Sequence, residues 1–135
     1  MKSSVLQEKS LAFAIKIVRL VQRLRSEKKE YVLTDQLLRI GTSPGANLKE
    51  AEYAQSKRDF VNKMSISLKE INEAQYFLLL LFKTDYLIQS EFNSLSSDSG
   101  ENKAMLISSI KTAKTNLGIQ VIKSIVLALS ISFLH

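Results

Sequence analysis

At 135 residues the chain is long enough for one domain with a single core and too short for a comfortable second one. It contains no cysteine, which excludes disulfides, thiolate metal sites and cysteine nucleophiles and makes a reducing cytoplasm the expected compartment. With 19 basic against 13 acidic residues the formal net charge is +6, which favours polyanionic partners such as RNA, DNA or a membrane surface.

Glycine and proline are scarce, so the composition is helical. The N-terminal MKSSVLQEKS lacks the apolar run of a secretory signal, and export is not expected. Leu11, Ile15, Val18, Val21 and Leu24 recur at helical steps and place a first helix from about Gln7 to Ser26. Thr34 followed by Asp35 reads as the N-cap of a second. Ser56 with Asp59 three residues on caps a third helix, which carries Phe60, Met64, Leu68, Ile71 and Leu78 to about Lys83. The fourth passes through the poor helix formers Ser96 to Gly100 and strengthens at Leu106, Ile110 and Ala113, so a split near Gly100 is expected.

Four amphipathic helices on short links can hide their apolar stripes only against one another. The expected fold is an all-α, antiparallel up-and-down four-helix bundle over residues 1–116. Residues 117–135 form an apolar C-terminal extension that packs on the bundle, joins a subunit contact or frays. A membrane span is not expected, because Lys123 leaves an uncharged run well short of the roughly 20 residues a span needs. Leu78 to Phe82, five apolar residues in a row, exceed what one face can bury within one bundle, which points to an oligomer.

A di-iron centre in such a bundle needs Glu-x-x-His on two helices, and the one histidine is His135. The same scarcity removes the usual general base for a hydroxyl nucleophile. No catalytic residue, metal site or cofactor is therefore expected, and the carboxylate pairs Glu50/Glu52 and Glu70/Glu73 read as surface or salt-bridging groups. Lys9, Lys16, Arg19 and Arg23 share one side of the first helix, a line of positive charge along which a phosphate backbone can lie. Lys57, Arg58 and Lys63, and Lys103, Lys111 and Lys114, add basic surface without a track, and no aromatic residues interleave for base stacking.

The stretch GTSPGANLKEAEYAQSKRDF places Gly41, Pro44 and Gly45, three of the chain's five Gly or Pro residues, inside a helical region. Gly41 and Gly45 are four apart and read as notches for a neighbouring helix, and Pro44 predicts a kink or restart at Ser43. A turn at Ala54 to Ser56 brings Arg39 near Glu70 or Glu73 and Glu50 near Lys63. These residues, with Asn47 as a buried hydrogen-bonding spacer, are expected to set the register of the hairpin or a subunit contact.

Leu37 to Lys83 closely resembles the core signature of the S23 proteins, a bacterial four-helix-bundle family encoded in intervening sequences of 23S ribosomal RNA genes. Arg39, Gly41, Ser43, Gly45, Asn47, Glu50, Ser56, Asp59, Phe60, Lys63, Lys69, Glu70, Glu73 and Tyr76 stand at matching spacing. Leu11 to Arg25 is similar to the family's first helix and Ala104 to Asn116 to its last, whereas Pro44 and the apolar segment after Asn116 depart from the pattern. The resemblance implies an antiparallel bundle assembling as a ring, a homopentamer, with no enzymatic activity. A related branch, the accessory variability determinant of diversity-generating retroelements, forms a basic pentameric barrel that binds nucleic acid and works with a reverse transcriptase. The function expected from charge and resemblance together is that of a cytoplasmic, oligomeric accessory protein binding RNA in preference to DNA. The alternative is a protein–protein interaction scaffold with no nucleic-acid role.

Overall fold

The computed structural model describes residues 2–134, with side-chain surroundings from Val5 onward; Met1 and His135 lie outside the described residues. Four helices follow in order: α1 (Lys2–Lys28), α2 (Val32–Ala51), α3 (Lys57–Lys83) and α4 (Gln89–Phe133). Each packs against its chain neighbours and α1 closes against α4, giving the up-and-down bundle. The antiparallel registers are visible in cross-helix pairs: Ile17 with Gly41, Ser67 with Pro44, Gln75 with Ser99, and Ser10 with Asn102.

The core follows the stripes read from the sequence on α3 and α4, whereas on α1 the buried stripe is Leu6, Phe13, Ile17, Leu20, Val21 and Leu24, of which the expected stripe contained only Val21 and Leu24. Phe13, Ile17 and Leu24 of α1, Leu37 and Ile40 of α2, Ile71, Leu78 and Leu81 of α3, and Leu106 of α4 are essentially inaccessible to water. Their three- and four-residue spacing keeps each set on one side of its helix. Ile15 and Leu11, which fit the same periodicity, stay exposed on the flank of α1.

The helix ends show where local rules held and where they did not. Ser56 caps α3 as expected, its Oγ accepting from the Asp59 amide at 3.0 Å while Asp59 accepts from the Gln55 amide at 3.2 Å. Thr34 is not a cap. Glu30 performs that task one turn earlier, its carboxylate accepting from the Leu33 and Thr34 amides at 3.0 and 2.9 Å. The Thr34 hydroxyl is instead buried, donating to the Glu30 carbonyl at 2.8 Å and accepting from Arg25 Nε at 3.1 Å. α3 ends with Asp85 in the left-handed region at φ 68°, and the Tyr86 amide reaches back to the Leu81 carbonyl at 2.9 Å.

α2 runs continuously through Pro44, so of the kink or restart expected at Ser43 the restart does not occur. Ser43 Oγ donates backwards to the Arg39 carbonyl at 2.6 Å instead of capping a new helix, and Thr42 does the same to Leu38 at 2.7 Å. Pro44 is buried and its carbonyl accepts from the buried Ser67 hydroxyl of α3 at 2.9 Å. Tertiary contact thus holds a residue that costs an isolated helix about 3 kcal/mol.

α4 is likewise unbroken across Ser96 to Gly100. Ser99 and Asn102, both buried, bond to Gln75 of α3 and Ser10 of α1, so packing outweighs the weak intrinsic propensity of the segment. The last buried residue of α4 is Ile110. In the register of Gln75 with Ser99 the first residue of α3 lies opposite Leu117. Beyond that point α4 leaves the bundle as a free helix, about 25 Å long at 1.5 Å per residue, with every position from Gly118 to Leu134 exposed.

Candidate functional site

The expected basic track of α1 faces α4, which answers it with carboxylates. Lys9 Nζ lies 2.5 Å from Glu101 Oε1, Lys16 Nζ 2.5 Å from Asp98 Oδ2, and Arg23 Nη2 2.6 Å from Glu91 Oε2. Arg23 is also 3.3 Å from Glu27, and Lys16 donates to Ser94 Oγ at 3.1 Å. Arg19 alone of the four has no carboxylate within ion-pair reach among the described residues, and it borders an open hollow with Leu20 and Leu95. The bridging side chains are about a third to a half exposed, so each bridge is worth about 0–1 kcal/mol. Their larger effect is on charge: three of the four cations are spoken for before any phosphate arrives.

Glu91, Asp98 and Glu101 are the residues that sequence reasoning missed. Their signal was present, since Glu91 and Asp98 repeat the seven-residue step that separates Lys9, Lys16 and Arg23. It was hidden by the expectation that this part of α4 breaks. Glu91 has a second task, as its other oxygen accepts from the Ile88 amide at 3.2 Å at the start of α4.

The expected hairpin contacts of α2 and α3 are found together. Arg39 Nη2 approaches Glu73 Oε2 at 3.9 Å, the outer limit of an ion pair, and Lys63 Nζ binds Glu50 Oε2 at 2.9 Å. The buried Glu70 is held by Asn47, whose amide donates to Oε1 at 2.6 Å and also to the Ser43 carbonyl at 3.2 Å. The hydrogen bond and charge of Glu50 raise the pKa of Lys63 above its ordinary 10.5, outweighing the opposing effect of desolvation. No three acidic or histidine side chains among the described residues converge as a metal cage.

Two further features are apolar. A groove between α1 and α2 has a largely apolar floor that includes Leu11, Ala14, Gly45 and Ala46, with Glu8 and Lys49 also lining it. The outer face of α3 carries Leu68, Tyr76 and Phe77 around a second hollow with Lys69 and Glu73, and Ile66 and Leu79 are exposed on the same helix. A pocket of about 520 Å³ at the end of the bundle, between Leu6, Leu48, Phe60 and Ala113, lies where α4 emerges.

Fold and surface together define an antiparallel four-helix bundle with one seam zipped by ion pairs and two apolar faces left open. Residues 2–108 match the family profile described as 23S rRNA-intervening sequence protein, and the chain belongs to this family. A solved structure from Bacteroides thetaiotaomicron, described as a protein with unknown function from the S23 ribosomal protein family, is 50% identical and superposes with a TM-score of 0.81. The correspondence covers 82% of this chain and 99% of that one. None of the curated proteins compared with the chain matches it.

Proposed function

We propose that this protein is a non-catalytic scaffold that assembles with copies of itself, the α1–α2 groove of one copy receiving the outer face of α3 of the next. The observation that carries this reading is the pairing of Lys9, Lys16 and Arg23 with α4 carboxylates while Leu11, Ile15, Tyr76 and Leu79 stay uncovered. Three of the four α1 cations are paired inside the protomer, and on the α1–α2 and α3 faces apolar area is what remains to be buried. Two different faces meeting head to tail build a ring when the rotation between copies closes, and a ring, as a pentamer, is the assembly that the family resemblance implies. The small side chains of Ala14, Gly45 and Ala46 allow a neighbouring helix to approach closely. Light scattering of the separated protein tests this: Ala14→Glu should convert a defined oligomer to monomer without loss of helix. A monomeric native chain would end the proposal.

A second reading, nucleic-acid binding with RNA preferred, draws on the family's link to ribosomal RNA genes and on the net charge of +6. In this reading phosphates meet Arg19, Lys57, Arg58, Lys103, Lys111 and Lys114 rather than a continuous track, and a reverse transcriptase partner belongs to it. Filter binding to a generic RNA at two salt concentrations separates the two, because phosphate contacts weaken steeply with salt.

A further inference from the structure

We infer that the distal part of α4, from Leu117 onward, inserts into a bilayer of anionic phospholipid. The segment is long and apolar enough to cross a membrane by length and composition, and none of it is buried against the bundle. Ile125, Val126 and Leu127 are 54–62% exposed although, as successive residues, they point to three different sides of the helix. A soluble helix has one apolar stripe and a polar back, and a helix that is apolar all round belongs in a core or a membrane. A second copy of this helix would cover one stripe and leave the opposite apolar side in water. A bilayer covers all sides at once.

Three other observations favour lipid. The helix continues for about 25 Å past the bundle, against a hydrocarbon thickness of about 30 Å. Two of its three hydroxyls donate within the helix, Ser124 to the Gln120 carbonyl and Ser130 to the Val126 carbonyl, both at 3.0 Å, which lowers the cost of carrying them into hydrocarbon. From Asn102 onward the sequence has no acidic residue and carries Lys103, Lys111, Lys114 and Lys123. Lys111 and Lys114 sit exposed where the helix emerges, at the level where anionic headgroups would lie. Lys123, with Gln120 and Ser124 on its side of the helix, lies about 9 Å past Leu117, close enough for its long stem to reach back to that level.

Lys123 argues against a span, but the exposure of every position from Gly118 to Leu134 removes the bundle as the alternative partner of the segment. The segment also lies beyond the residues matched to the family profile, so it is a property of this chain rather than of the shared bundle.

Flotation of the full chain with phosphatidylglycerol-containing vesicles tests the inference. The native chain should float with these vesicles and stay bound through a wash at about 0.5 M salt, where lysine–headgroup attraction is screened but apolar burial is not. Ile125→Asp combined with Leu129→Asp should reduce flotation at least tenfold while the thermal unfolding of the bundle is unchanged, since neither side chain touches it. The chain has no tryptophan, so Leu129→Trp supplies a single fluorophore whose emission should shift to the blue on adding vesicles and be quenched by lipids brominated on their acyl chains. Failure of the native chain to float, release by salt alone, or equal flotation of the double variant would overturn the inference. So would a native oligomer, formed without lipid and dissociated by the double variant, in a chain that ignores vesicles.

Discussion

The side chain of Ile17 occupies the space in which a Cβ on Gly41 would stand, with Cγ2 only 2.7 Å from that position. Ile17 is fully buried and β-branched, so it has little freedom to give way. Gly41→Ala should therefore destabilise the bundle by about 1–3 kcal/mol through overpacking, against the roughly 1 kcal/mol that alanine gains in a helix. Gly45, where the same atom would meet Ser10 at an ordinary 3.6 Å, and Gly100, with nothing near it, should become more stable by up to about 1 kcal/mol as alanine. Urea midpoints of the three variants check the contrast, and a stabilised Gly41→Ala would contradict the close α1–α2 approach.

Glu91, Asp98 and Glu101 neutralise the α1 cations, so removing their charge should expose the track. Glu91→Gln, Asp98→Asn and Glu101→Gln together keep the hydrogen-bonding shapes, free Lys9 and Lys16, and leave Arg23 with only its pair to Glu27. If phosphate can reach the seam, RNA affinity rises and the slope of log affinity against log salt steepens by up to about 3. Stability should fall by less than about 1 kcal/mol per bridge. An unchanged salt slope would mean that α1 never meets a phosphate backbone.

Asn47 is the amide donor that the buried carboxylate of Glu70 accepts from across the α2–α3 interface. Asn47→Ala leaves that carboxylate without this donor and should cost about 1–3 kcal/mol. Adding Glu70→Leu should recover much of the loss, because an apolar pair has no polar group to satisfy. Denaturation of the single and double variants measures the coupling.

Lys63 has a folded-state pKa above 10.5, so its pairing with Glu50 stabilises the hairpin fully below 10.5 and is lost as pH rises through the raised value. The stability difference between the native chain and Lys63→Met should be flat around neutrality and shrink above about pH 10.5. Unfolding curves across the alkaline range would show it, and a difference that grows with pH would reverse the assignment.

The bundle and its hairpin contacts were legible because they follow from short-range periodicity. Apolar steps of three and four named the core stripes of α3 and α4 though they chose the wrong flank of α1, Ser56 with Asp59 marked the start of α3, and counting from the turn paired Arg39 with Glu73 and Glu50 with Lys63. The readings that failed were those made from one residue's propensity. Pro44 did not restart α2 and Gly100 did not split α4, since in both places a neighbouring helix supplied the compensating contact, and Thr34 did not cap α2 because the nearby Glu30 carboxylate took the free amides.

By itself the sequence determined which side chains seek one another out of water, and with short links that leaves few arrangements besides an antiparallel bundle. Only the tertiary structure decided which charges are spent internally and which apolar surface is left over, because both depend on what stands opposite a helix face. Periodicity along one helix carries no record of its neighbour: the lysines of α1 look the same whether they face solvent or the carboxylates of α4, and the distal α4 looks the same whether covered or bare.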